Sequence, residues 1–282
     1  MELFTMGIGT YTQHDVANAA RAFTGWTLRD GHFFYAAAAH DSLPKTFLGN
    51  TGNFFGKDIL DILAARPETA AFITRKLSRF FIGTDPSPEL WARLQESFAA
   101  TAGDIRETVR QILLSEDFDA AADHPDVFKS PVEIIVGVHR SLRAYDDPQG
   151  YLPWPAMMGQ ALLQPPNVGG WKGGEFWMNT GSYLTRIHMV YSLAFQPSRI
   201  GDGFRWDIGR FFEGRRFASD DAVIDFLADR FNLASVSDVL RGTLRSYLAP
   251  LGEPFAWAPT SFEYFGRGAI YLVLASPEYQ LQ

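Results

Sequence analysis

Ser130-Pro131-Val132-Glu133-Ile134-Ile135-Val136-Gly137-Val138-His139-Arg140-Ser141-Leu142 contains a complete helix start. The Ser130 hydroxyl is placed to accept from a free amide of the first turn. Pro131 has no amide proton to leave unpaired there, and Glu133 is placed to reach back to the capping residue's own amide. Behind this box, Ile134, Ile135, Val138 and Leu142 fall on one face, the stripe a helix lays against a core.

The same grammar recurs in both directions along the chain. Thr12 is an N-cap ahead of Val16, Ala19, Ala20 and Phe23, and Asp104 precedes Ile105, Val109, Ile112 and Leu113. Pro67 opens a helix with Ile73, Leu77, Phe80 and Phe81 at helical spacing, and Ser87-Pro88-Glu89 opens one with Trp91, Leu94 and Phe98 inward. Val223, Phe226 and Leu227 mark a helix over 219–231, and Leu240, Leu244, Tyr247 and Leu248 another over 237–248. Thr260-Ser261-Phe262-Glu263 repeats the capping logic near the end. The expected fold is therefore all-α, a multi-helix globular bundle with one short β-hairpin or ordered loop near 32–48. Its expected organisation is a main body over 1–195, an irregular linker at 196–218, and a helical unit at 219–282 packed on the body.

Two segments break the helical period. Residues 31–56 carry His32-Phe33-Phe34-Tyr35, His40-Asp41 and Lys45-Thr46-Phe47-Leu48-Gly49. Residues 164–181 hold two prolines, five glycines, Trp171 and Trp177, too many breakers for a helix and too many large rings for a plain linker.

With 46% apolar and 20% charged residues, the chain can bury a core and is not of disordered composition. A net charge of −7 gives no attraction to phosphate backbones, so nucleic acid is not an expected partner. Absence of cysteine excludes disulfides, thiolate metal sites and a cysteine nucleophile. No apolar run is long enough for a membrane span. Met1–Gly7 lacks the basic and apolar regions of a signal peptide.

His40 and Asp41 are the candidate chemical pair. A histidine and a carboxylate in an irregular segment can hold a divalent metal ion or exchange a proton, with Lys45 near enough to assist. Alternatively, Asp41 caps local amides and His40 ties the hairpin. His14-Asp15 is read structurally, because a first-turn acid stabilises its helix. The six histidines show no metal-binding spacing along the helices. Gly169-Gly170-Trp171-Lys172-Gly173-Gly174 lacks the Ser or Thr and the glycine spacing of a phosphate loop. Trp171 and Trp177 either plug this loop into the body or form a stacking platform for a sugar or apolar ligand. Asn179 either orients that ligand or caps the following helix. Arg75 is read as solvated, Lys76 as drawn toward a buried polar contact, and Asp58 and Asp61 as surface acids one turn apart.

Several irregular motifs in one order carry a resemblance. Glu2–Gly9, Ala22-Phe23-Thr24-Gly25-Trp26, His40-Asp41 with Lys45–Gly49, Phe72–Leu77, Lys129–Glu133, Pro165–Trp171 and Leu274–Tyr279 together resemble the C-terminal part of the bacterial domain-of-unknown-function 1800 (DUF1800) family. In that family a long region precedes the Glu-Leu-Phe-Thr segment, so this chain reads as a fragment or the product of an internal start. Apolar surface around Leu3, Phe4 and Met6 would then lack cover and favour oligomers. The resemblance implies a periplasmic or secreted location and a sulfatase-like protein partner, often encoded nearby. It transfers no activity. The expected function is a non-catalytic binding or assembly protein of the envelope or exterior, and the alternative is a metal-assisted hydrolase using His40 and Asp41.

Overall fold

The computed structural model describes residues 1–123, 127–144, 153–195, 206–251 and 262–281. The described residues are mainly helical, with two short antiparallel hairpins. Contacts divide the chain into two compact units, Met1–Ala122 and Asp123–Gln282, whereas the sequence reading groups 1–195 together. No helix among the described residues is long and apolar enough to cross a membrane.

The first unit holds α1 (Gln13–Ala22), two hairpins, α2 (Gly56–Ala64), α3 (Pro67–Ile82), α4 (Pro88–Ala100) and α5 (Ile105–Leu113), with α6 (Glu116–Asp123) at its end. The hairpins are β1 (Trp26–Arg29) with β2 (His32–Tyr35), and β3 (Lys45–Phe47) with β4 (Asn50–Gly52). The first turns at Asp30-Gly31, both at positive φ (52° and 77°), as a two-residue mirror-image turn requires. The second turns at Leu48-Gly49, where Leu48 takes φ 47° and its amide is held by the Asp15 carboxylate at 2.8 Å. The single hairpin expected near 32–48 is thus two, one starting earlier and one ending later.

Thr12, Ser87 and Asp104 cap their helices as predicted. In α3 the predicted face holds in part: Leu77 and Phe81 pack against the cluster of Ile82, Leu90, Leu94 and Ile112, but the fully buried positions are others. Its buried residues are Thr69, Ala70, Thr74, Ser78 and Ile82, while Phe80 is exposed. The hydroxyls of Thr74 and Ser78 donate to Ala70 O (2.7 Å) and Thr74 O (2.9 Å), one turn back. Their polarity is satisfied inside the helix, so they pack as small apolar groups. Lys76 is exposed rather than buried, donating to Leu3 O at 3.3 Å. Met6 is buried with Ala22, Phe47, Ile59 and Leu63, so only Leu3 and Phe4 of the opening trio remain exposed.

The second unit holds α7 (Pro131–Ser141), α8 (Pro153–Met157), α9 (Thr180–Phe195), α10 (Ile208–Phe212), α11 (Asp220–Arg230), α12 (Asp238–Leu248) and α13 (Arg267–Ala275). The Ser130–Glu133 box forms as read, with Ser130 N donating to Glu133 Oε2 (2.6 Å) and Glu133 N to Ser130 Oγ (3.3 Å). Ile134, Ile135, Val138 and Leu142 are all buried. They share one core with Met189, Phe211, Leu227, Leu244 and Leu274. Thr260 and Ser261 of the last expected capping box, His124, and residues 196–205 of the expected linker lie outside the described residues.

Candidate functional site

The structure draws Thr24, His40, Asp41, Lys45 and Arg21 together in the first unit. His40 Nδ1 lies 2.9 Å from Thr24 O, and a carbonyl only accepts, so Nδ1 carries the proton. The ring stacks on Phe55 at 4.4 Å and 7°. Asp41 receives a fork from Arg21, Nε to Oδ2 at 2.7 Å and Nη2 to Oδ1 at 3.2 Å, and Leu43 N donates to Oδ1 at 2.9 Å. Lys45, 1% exposed, donates to Asp41 O and to Leu43 O, the latter at 3.0 Å. Every polar atom of Asp41 and Lys45 is therefore engaged by neighbours. No group of three metal-ligating His, Asp or Glu side chains forms among the described residues. The loop is a clasp between α1 and β3.

Arg21, then the Leu43 amide, hold the Asp41 carboxyl down to about 2 from an ordinary 3.8. A depressed acid pKa contributes stability that is present above the ordinary value and lost as pH falls through the folded one. The stability gap between the parent and Arg21→Met should thus be constant near neutrality and shrink between about pH 4 and 2, as read by urea unfolding at each pH. A gap unchanged across that window would refute the clasp.

In the 164–181 segment the two tryptophans separate. Trp177 is buried and Trp171 half-buried. Asn179 Oδ1 accepts from Ser182 N at 3.0 Å and Asn179 N donates to Ser182 Oγ at 3.1 Å, so Asn179 caps α9. Trp177 O accepts from Ser182 Oγ at 2.7 Å. Leu163, Val168 and Phe176 stand exposed around these anchors.

A third constellation lies at the start of α7. Arg186 of α9 is 0% exposed, and its guanidinium donates to Lys129 O (2.8 Å), Gln280 Oε1 (3.2 Å) and Trp177 O (3.4 Å). Lys129 is in turn held by its amide to Gln280 O at 2.8 Å. Its ammonium donates to Tyr279 O at 2.9 Å and sits 4.1 Å over the Tyr279 ring. Burial pushes Lys129 down to about 8 and Arg186 to about 10, while the Glu133 charge favours both cations. Burial pushes the Tyr279 phenol up. Lys129 lines a cleft of about 400 Å³ bounded by α7, the segment after α11 and Tyr279.

Residues 1–281 match the family described as "Protein of unknown function (DUF1800)". The chain belongs to the DUF1800 family. No curated protein and no solved structure matches it. The DUF1800 segments singled out in the sequence now have physical roles in this chain. Ala22–Trp26 supplies the carbonyl and hydroxyl of Thr24 that receive His40 and the Asp41 amide. Lys129–Glu133 and the closing Glu278-Tyr279-Gln280 meet around Arg186. Sequence reasoning missed Arg21, Arg186, Lys129 and Tyr279 as site residues. The one available signal was Lys129 immediately before a complete capping box, where the chain is fixed and a lysine has little freedom to leave.

Proposed function

We propose that this DUF1800 protein is a non-catalytic binding or assembly protein of the bacterial envelope or exterior, docking a protein partner on the β1–β2 hairpin. The observation that carries the reading is the cross-strand pair Leu28 and Phe33, 72% and 64% exposed. Paired residues of antiparallel strands project to the same face, so these two form one apolar patch rather than scattered singles. Trp26 meets Phe33 edge-to-face at 5.3 Å and is itself exposed. Apolar surface joined across a rigid hairpin is what a docking face offers. The envelope setting and a sulfatase-like partner are taken from the family resemblance.

A hydrolase built on His40 and Asp41 draws no support from the geometry, since Arg21 occupies the carboxylate and Phe55 covers the imidazole. The binding reading is tested with a purified sulfatase-like protein from the same source, the partner class that the family resemblance implies. Leu28→Ser with Phe33→Ser should weaken its binding at least tenfold, about 1.4 kcal/mol, with an unchanged unfolding midpoint. Absent binding to the parent, or equal binding to the variant, defeats the proposal.

A further inference from the structure

The cleft beside Lys129 is lined entirely by residues of the second unit. Tyr279 is 2% exposed, yet its hydroxyl makes no hydrogen bond among the described residues. The hydroxyl faces the cleft beside Gly137, where an added Cβ would come within 3.3 Å of its oxygen. Lys129 donates one of its three N–H groups to Tyr279 O and keeps two for another acceptor. Arg140, on the same face of α7, has no ion pair among the described residues and adds positive charge at the far end. Glu133 stands on the rim with one oxygen engaged by the Ser130 amide. Val132 and Val136 give the remaining wall an apolar surface.

We propose that this cleft binds a small organic carboxylate, its anionic end on Lys129 Nζ and the Tyr279 hydroxyl and its apolar body along Val132 and Val136. A carboxylate matches the inventory because it only accepts, and both facing groups have protons to donate. A neutral phenol, kept protonated by its burial, serves as a donor there at any physiological pH. The apolar wall and the modest volume favour an organic acid over a bare inorganic ion. Arg186 acts as a positioning residue, fixing the Lys129 carbonyl so that the side chain enters the cleft in one direction.

Benzoate is the probe, titrated calorimetrically into the full chain, with benzamide and inorganic phosphate as comparisons. Benzoate should bind, and benzamide and phosphate should bind at least tenfold more weakly. Lys129→Met and Gly137→Ala should each weaken benzoate at least tenfold. Gly137→Ala separates binding from folding: alanine favours the helix interior, so its unfolding midpoint should not fall, while its methyl occupies the space beside the Tyr279 hydroxyl. No benzoate binding up to about 10 mM, in the weakest range of specific affinities, overturns the proposal. So does phosphate binding as tightly as benzoate, or Gly137→Ala binding benzoate like the parent.

Discussion

Arg186→Ala should destabilise the second unit by about 2–5 kcal/mol, the range for cutting a long side chain out of a packed interior. The guanidinium is fully buried and serves three acceptors. Two of them have no ready substitute. Lys129 O sits at the entry to α7, and Gln280 cannot turn its amide because its Nε2 already donates to Leu274 O at 3.0 Å. Each buried acceptor left unpaired costs about 1–3 kcal/mol, and the cavity left by the long side chain adds to that. One term opposes: burying the charge is itself costly, which is why the Arg186 pKa falls to about 10, and the variant escapes that cost. Arg186→Met therefore serves as the companion. It fills most of the volume and carries no charge, so its loss should be smaller than that of alanine. Urea unfolding measures both, and hydrogen exchange should place the loosened amides around 129–133 and 277–281. If both variants unfold within about 0.5 kcal/mol of the parent, the size of an ordinary surface change, Arg186 does not hold these segments together.

The contrast between α7 and Arg186 shows what the sequence carries. In α7 every signal is local: the Ser130 hydroxyl, the Pro131 ring, the Glu133 carboxylate and a stripe with one period all lie within thirteen residues and agree. Arg186 contacts Lys129, Trp177 and Gln280, which stand 57, 9 and 94 positions away, and no periodicity records such a meeting. Helix α3 departs in part from its expected face for a different reason. Its large residues suggested one face, but threonine and serine hydroxyls bonded to their own turn turn out to be the inward ones. The first hairpin is legible in Asp30-Gly31, a strong two-residue turn signal at the edge of the 31–56 segment, which centres the hairpin earlier than the expected 32–48. At His40-Asp41 the residue types left two readings open, and only the position of Arg21, 20 residues before Asp41, weighs between them.

Lys45→Met should cost the first unit about 1–3 kcal/mol, the loss of one buried donor that serves two part-buried carbonyls. Lys45 and Phe47 are the inward residues of β3, and Thr46 between them faces out. Methionine keeps an unbranched apolar stem of similar reach, so little packing is lost and the effect isolates the ammonium. Asp41 O and Leu43 O lose their shared donor, while the Asp41 carboxylate keeps Arg21. Because Arg21 and Lys45 grip the same residue from opposite sides, their losses should not add. Arg21→Met combined with Lys45→Met should cost less than the two single changes summed, by roughly 0.5 kcal/mol or more, since an Asp41 already released by one change has less to lose from the other. This cycle also distinguishes a clasp from an acid–base site. A lysine held there to assist a reaction, at the expense of burying its charge, would leave the fold as stable or more stable when replaced by methionine. A structural lysine gives the loss and the negative coupling together. Strict additivity, or an unchanged unfolding midpoint in Lys45→Met, would return the segment around His40 to consideration as a place for chemistry.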